Sequence, residues 1–253
     1  MELLKGYSTP KRIRFALGKL PEKLGAAYDD IMERIDRQAG DQRTMALTAL
    51  MWITYARKRF TVDELLHLIA LGLDPDITDI ENDDLTDIDL LLSSCAGLVT
   101  LNHEDRIIRL VHYTTQDYLE SRFPGVDVNT FLAKSCLTYL GFDAFSDPPV
   151  DNGVFEHLMK QYPLSRYAAS YWGDHTRQGR EADLEQTILS TLGTQEKRDT
   201  IEWFESTSRG YRHYGSPFQL ANQSLFHLAS KHGLSHMCSM LLSHSDTILS
   251  DST

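Results

Sequence analysis

Apolar and polar residues follow helical periods over most of the first hundred positions of the chain. The apolar residues after Pro21 recur at helical spacing and predict an amphipathic helix. They are Leu24, Tyr28, Ile31, Met32 and Ile35. The segment 42–57 is apolar on most sides, which predicts the most buried helix of this group. A third helix is expected to begin at Thr61, because Glu64 stands three residues later and completes a capping box.

The periodicity changes from helical to β-like after Gly97. A further helix over about 85–95 is expected to end at this glycine. The runs LVTL at 98–101 and RIIRLV at 106–111 then predict two strands, joined by the turn-prone tetrapeptide NHED. This region therefore contains one small β-hairpin.

A helix is expected directly after this hairpin, in the stretch HYTTQDYLES that begins at His112. Thr114 can cap this helix, and Tyr113 and Tyr118 can pack together as a hydrophobic staple. Three helices, a hairpin and another helix follow one another in the order of a winged-helix domain. We therefore place a winged helix at 40–121.

The remaining sequence predicts helices only. Proline and glycine residues divide it into short helices, and two more flank Gly233 near the C-terminus. The fold class is therefore mainly α, with a winged helix that carries one small β-hairpin, a helical bundle and a short helical tail. The predicted segments are 1–39 (helical), 40–121 (winged helix), 122–210 (helical domain) and 211–253 (tail).

Composition and charge restrict the partners that the chain can bind. The formal net charge is −11, which opposes general affinity for nucleic acids and for anionic membranes. The three cysteines, Cys95, Cys136 and Cys238, are far apart and odd in number, so no disulfide framework is indicated. A reduced, cytoplasmic setting fits this cysteine usage.

Motifs for catalysis and for metal binding are missing from the sequence. There is no G-x-x-x-x-G-K-[ST] phosphate-binding loop and no G-x-S-x-G nucleophile elbow. The segment 74–89 carries eight acidic residues but lacks the register and the glycine of a calcium loop. His232 and His236 are spaced by four residues across Gly233, which is too little for a zinc site. We predict no catalytic residue, no metal ligand and no enzyme activity for this chain alone.

His112 raises a more specific question, because a titratable ring stands between a strand and a helix. One interpretation is a junction histidine whose ring is satisfied by backbone groups. The other is a ring that binds a phosphate, since an imidazole N–H is a directional donor to a phosphate oxygen. The residues of the junction do not decide between them.

The tail resembles one ankyrin repeat. Ser224, Leu225, Phe226, His227, Leu228 and Ala229 stand where that family has its T-P-L-H-L-A run, and Gly233 matches the turn between its two helices. Leu225 replaces the usual proline. The resemblance implies a first or capping repeat, and a hydrogen-bonding role for His227 in the tight turn of the repeat.

A larger resemblance covers about 9–210. The chain is similar to the region that follows the nucleotide-binding NACHT domain in fungal signal-transducing ATPases of the STAND class, many of which continue into ankyrin repeats. The matching stretches are LPEKLGAAYDDIMERI, LTALMWITYARKRFTVDELLHLIAL, CAGLVTL, IRLVHYTTQDYLES and YPLSRYAASYWGDH, in that order.

This second resemblance implies a role for His112. In related NOD-like receptors, a histidine in an H-x-[ST]-[FT]-Q-[DE]-[YF] stretch contacts the β-phosphate of ADP, and here His112 occupies that position. The phosphate-binding loop is absent from this chain, so no cofactor is expected for it alone. ADP or ATP is expected only where a NACHT domain is supplied in cis or in trans.

The expected function is regulatory and protein-binding. The winged helix would couple the nucleotide state of a NACHT domain to an ankyrin-repeat sensor, with protein partners on the helical and ankyrin-like surfaces. One alternative is a stand-alone scaffold that lost the ATPase domain. A second is a DNA-binding winged helix, but its groove-facing helix at 61–71 would carry no Lys or Arg, and an acidic segment follows it.

Overall fold

The computed structural model describes residues 20–147, 149, 152–208 and 223–250, and twelve α-helices lie within these ranges. The sequence also predicts a helix that Ser8 or Thr9 can cap, with Pro10 at its first position, and this segment lies outside the described residues. The first five helices are α1 (Leu20–Asp36), α2 (Asp41–Tyr55), α3 (Val62–Leu73), α4 (Ile88–Ser94) and α5 (Tyr113–Arg122). The next five are α6 (Gly125–Leu140), α7 (Asn152–Gln161), α8 (Ser165–Gln178), α9 (Glu185–Leu192) and α10 (Gln195–Ser208). The last two are α11 (Leu225–His232) and α12 (Ser235–Ser250). The mainly α fold class is confirmed.

A small antiparallel sheet accompanies the first helices. Its strands are β1 (Phe60–Thr61), β2 (Val99–Asn102) and β3 (Ile107–Leu110), and β3 is the central strand. The predicted hairpin of β2 and β3 is confirmed. Strand β1 was not predicted, because two residues are too few to show a period. The helices α2, α3 and α4 with this sheet form a winged-helix domain.

The predicted capping box at the start of α3 is present. The Oγ1 atom of Thr61 accepts a hydrogen bond from the Glu64 N–H at 3.3 Å, and the Glu64 carboxylate accepts one from the Thr61 N–H at 3.0 Å. The Lys58 ammonium also pairs with this carboxylate. The box fixes the point where the chain passes from strand β1 into the helix.

The assignment of residues 61–71 as a groove-facing helix was wrong. Helix α3 buries eight of its residues, among them His67, so it cannot enter a groove. In the winged-helix order the third helix is α4, which has the sequence IDLLLSS and no basic residue. Asp89 is its exposed charged residue.

One core joins the winged helix to the helical segment that follows. The Trp52 side chain on α2 has no exposed surface, and its ring lies 5.8 Å from that of Phe60 and 5.8 Å from that of Tyr167 on α8. The ring of Phe131 on α6 lies 6.5 Å from the same indole. Trp52 therefore packs against both sides of the boundary that the sequence suggests near residue 121.

A buried chain of hydrogen bonds crosses the same boundary. The Arg57 backbone N–H donates to the Tyr167 hydroxyl oxygen at 3.2 Å, and the Tyr167 hydroxyl lies 2.8 Å from Nε2 of His175. His175 Nδ1 lies 2.8 Å from Oδ1 of Asn129, whose amide donates to the Gly125 carbonyl at 2.8 Å. Because Asn129 Oδ1 can only accept, the His175 proton is on Nδ1 and Nε2 accepts from Tyr167.

The tail helices pack on the helical segment. The ring of His232 on α11 lies 4.7 Å from that of Trp172 on α8 and covers Gly173. A Cβ atom at Gly173 would lie 2.3 Å from Cγ of His232, so only glycine permits this approach. On α12, His236 pairs with Glu185 at 2.9 Å. The tail is therefore held by both packing and polar contacts.

No helix within the described ranges is long and apolar enough to cross a membrane.

The fold is expected to lose stability in acid because of two buried histidines. Burial lowers the pKa of His175 to about 3, with the nearby Arg57 charge as a second cause. Burial also lowers the pKa of His67 to about 4, although Asp63 and Asp79 oppose that shift. The unfolded chain binds these protons more tightly, so stability falls as the pH drops below about 6.5.

The expected loss at pH 5 is about 2 kcal/mol for each histidine. Urea unfolding between pH 5 and pH 8 measures it. His175→Gln keeps groups that can bond Tyr167 and Asn129, and it should remove about half of the pH dependence because His67 remains. His157→Gln, which changes an exposed histidine, should leave it unchanged. A variant at residue 175 with the full acid loss would contradict this account.

Gly173→Ala is expected to displace the tail helices, because the new methyl group would collide with the His232 ring. The cost should be about 1–3 kcal/mol in thermal or urea unfolding. Hydrogen exchange should rise in 223–243. The double variant Gly173→Ala/His232→Ala should recover part of the loss.

Gly25→Ala is the control for this test, since a Cβ atom there meets no other atom within 4 Å. It lies in α1 and should raise stability slightly. Equal effects of the two glycine substitutions would show that the His232 contact is not the cause.

Candidate functional site: the His112 cleft

His112 is the N-cap of helix α5. Its backbone is extended, with φ −150° and ψ 152°, and its Nδ1 atom accepts a hydrogen bond from the Thr114 N–H at 3.3 Å. The prediction that Thr114 caps this helix was therefore wrong, and the histidine ring itself does so. A cap two residues earlier adds Tyr113 and Thr114 to the helix and satisfies one of its free amide groups.

The predicted staple between Tyr113 and Tyr118 is also absent. The Tyr113 side chain is 73% exposed, so it packs on little of the protein. The Tyr118 ring instead lies 5.0 Å from that of Tyr28 on α1, and its hydroxyl donates to Asp29 at 2.6 Å. Helix α5 is therefore anchored on α1 and not on its own first turn.

The cap determines which ring nitrogen of His112 carries the proton in the neutral side chain. Nδ1 accepts from the Thr114 backbone, and the Thr114 hydroxyl lies 2.8 Å from the same atom. The proton is therefore on Nε2, which makes no hydrogen bond within the described part of the chain. This leaves a directional N–H donor available to a ligand.

Helix α1 reaches the same histidine through a hydroxyl chain. The Tyr28 hydroxyl lies 2.8 Å from Oγ1 of Thr114 and 3.1 Å from Oγ1 of Thr115. Thr115 is fully buried and Tyr28 is 8% exposed, so these bonds are largely shielded from water. The orientation of the His112 ring therefore depends on the position of α1.

The His112 ring lies in a cleft of about 370 Å³ between the end of α2, strand β3 and the start of α5. All the charged side chains that line this cleft are basic: Arg57, Lys58, Arg59 and Arg109. Tyr113 and Gln116 line it from α5. The N-terminus of α5 carries partial positive charge, so it adds to the basic side chains in favouring an anion at this cleft.

The sequence pattern points to His112 but not to its basic neighbours. The signal that could have found three of them is the run ARKRF at 56–60, which is strongly basic within an acidic chain. Arg109 could not have been found from sequence alone. It reaches the cleft because β3 pairs with β1, and that pairing is long-range.

The acidic residues of 74–89 have structural contacts. Asp87 caps α4 by accepting from the N–H groups of Asp89 and Leu90, at 2.8 and 3.1 Å. Asp79 accepts from the Tyr162 hydroxyl at 2.8 Å. Across the described ranges, no group of three or more His, Cys, Asp or Glu side chains is arranged to hold a metal ion.

The other residues singled out by sequence lie away from the cleft. Cys95 and Cys136 are buried, and burial raises the pKa of both thiols, to about 12 for Cys95. Thiols of such low acidity are poor nucleophiles. Ser224 caps α11, and its hydroxyl lies 2.8 Å from Nδ1 of His227.

Comparison with known proteins agrees with the winged-helix architecture. Residues 32–130 match the family model of the GPI inositol-deacylase winged helix domain. This match covers less than half of the chain, and it includes His112 and the whole basic cleft. The class of domain at the candidate site is therefore a winged helix.

A curated relative comes from a fungus. The chain is similar to the "Azaphilone pigments biosynthesis cluster protein L" of Monascus ruber, with 28% identity over 212 residues. The alignment covers 74% of this chain and 42% of that protein, so the chain spans less than half the length of this relative. No solved structure matches the chain.

His112→Ala is expected to destabilise the protein by about 1 kcal/mol, because the first turn of α5 loses its cap. His112→Asn should restore most of this loss, since asparagine is among the best N-cap residues. Urea unfolding measures both variants. If both are as stable as the parent protein, the ring does not act as a cap.

Proposed function

We propose that this chain is a regulatory, protein-binding part of a STAND-class NTPase. In this proposal the winged helix senses the nucleotide held by a NACHT domain and passes that state to the tail. The chain itself performs no catalysis. ADP or ATP is the ligand of the assembled protein, and the NACHT domain is supplied in cis or in trans, in the cytoplasm.

The observation that carries the proposal is the Nε2–H group of His112 in a cleft whose charged side chains are all basic. A neutral imidazole with a fixed tautomer donates one hydrogen bond in one direction. The surrounding positive charge favours a phosphate as its acceptor. A histidine that served only as a cap would not need these neighbours.

A physical path from the cleft to the tail supports the coupling. The Arg57 backbone, at the edge of the cleft, bonds Tyr167 on α8. Helix α8 also carries Trp172 and Gly173, on which His232 of the tail packs. A shift of residues 56–59 on nucleotide release would therefore act on the helix that holds the tail.

The first step of the test is to determine the complete coding region. A P-loop encoded upstream, in this chain or in a neighbouring gene product, supports the proposal. If no P-loop is encoded at either place and no P-loop protein co-purifies with the chain, the proposal fails. A stand-alone scaffold would then be the better interpretation, as the continuous core around Trp52 suggests.

The second step uses His112→Asn in the complete NTPase. This change keeps the cap and removes the Nε2 donor, so it separates sensing from folding. Loss of one hydrogen bond to a charged phosphate should speed ADP release by about tenfold. Release is measured with a fluorescent ADP analogue, and an unchanged rate would contradict the sensor role.

A further inference from the structure

The basic side chains of the cleft lie in an arrangement that folding alone does not favour. Strand β1 pairs with β3 through Phe60 and Ile108. Extending this antiparallel register by one residue places Arg59 opposite Arg109, and both are exposed side chains that line the cleft. Like charges directly opposite each other on a sheet are destabilising.

Internal acidic partners do not neutralise these arginines. Lys58 is paired with Glu64, but within the described part of the chain none of Arg57, Arg59 and Arg109 forms an ion pair. The Nη2 atom of Arg57 is buried without a hydrogen-bond partner among the described residues. A buried guanidinium N–H without an acceptor is costly, so this part of the Arg57 side chain is not satisfied by the described residues.

The local charge is out of proportion to the composition of the chain. The net charge is −11, yet three unpaired guanidinium groups, one histidine and a helix N-terminus meet at one cleft. A single carboxylate would neutralise only part of this charge. Guanidinium groups bind phosphate oxygens in bidentate geometry, so two linked phosphates match the number and the type of donors.

We propose that Arg57, Arg59 and Arg109 extend the His112 cleft into a diphosphate-binding site. His112 donates Nε2–H to one phosphate, and the arginines neutralise the pair. This inference rests on the proposed function, because it names the part of the nucleotide that the cleft would hold. It goes further in stating that this chain holds the diphosphate through its own residues, without a P-loop.

The test is a titration of the isolated chain with inorganic pyrophosphate at constant ionic strength. The ring resonances of His112 report binding at the cleft, and calorimetry gives the affinity. Pyrophosphate should shift the His112 resonances with saturation. Arg109→Gln should weaken the affinity by about tenfold or more, and Arg57→Gln by a similar factor.

Arg37→Gln is the matched control. Arg37 is exposed directly after α1 and pairs with Glu33, away from the cleft, so its loss changes the net charge equally. Its pyrophosphate affinity should stay within a factor of two of the parent. An equal weakening in all three variants, or no saturable shift of His112, would overturn the proposal.

Measurements of thermal stability distinguish a loss of pyrophosphate binding from a loss of folding in these variants. Arg109→Gln removes one of two facing like charges, so its melting temperature should equal or exceed that of the parent protein. Lower affinity with undiminished stability is the expected result. Unchanged affinity in a folded variant would overturn the role of Arg109.

Titration with ADP distinguishes free diphosphate from nucleotide as the ligand recognised. The site as proposed contacts the two phosphates alone, so ADP should bind no more tightly than pyrophosphate and with the same dependence on Arg109. Much tighter ADP binding would show that an adenosine site exists, and would overturn recognition through the diphosphate only.

The outcomes also separate this inference from the proposed function. If pyrophosphate binds through the arginines while His112→Asn leaves ADP release from the complete NTPase unchanged, the anion site stands and the sensor role fails. If pyrophosphate does not bind while His112→Asn speeds ADP release, the arginine site fails and the sensor role stands.

Discussion

The burial of Trp52 is the interaction on which the rest of the structure depends. Its ring closes the core between α2, β1, α6 and α8, so the winged helix and the helical segment cannot separate without exposing it. Exposure of a fully buried aromatic ring of this size costs several kcal/mol. The loop 56–59 begins four residues later, and the position of its basic side chains follows from that packing. Tyr167 then holds the loop through the Arg57 N–H.

In the proposed function, His112 combines two tasks that are usually given to different residues. As an N-cap it presents an acceptor to the backbone, and as the proposed phosphate ligand it would present a donor to the outside. A neutral imidazole does both, because its two nitrogens have opposite roles once one of them is fixed. Serine, threonine or aspartate would cap the helix well but could not also supply this outward N–H group.

Polar groups in the core fix the relative position of the helices. His175 and His67 are buried and neutral, and each bonds a side chain on α6: His175 bonds Asn129, and His67 bonds the hydroxyl of Tyr139. Such contacts add little net stability when they are satisfied but are costly to break. They therefore act against sliding of α3 and α8 along α6.

The amino-acid sequence by itself determined the local features. The helical periods, the capping box at Thr61 and Glu64, the β2–β3 hairpin and the turn at Gly233 depend on neighbours a few residues apart, so they can be read from the chain. Tertiary structure decided which residues meet. Strand β1 needs β3 to exist, Arg59 reaches Arg109 through that pairing, and Gly173 is required only because His232 covers it. The N-cap residue of α5 was also predicted wrongly, because imidazole is an uncommon N-cap. The orientation of the His112 ring depends on Thr114 and Tyr28. Apart from the contact of His112 with Thr114, these contacts join residues distant in sequence, and no local pattern encodes them.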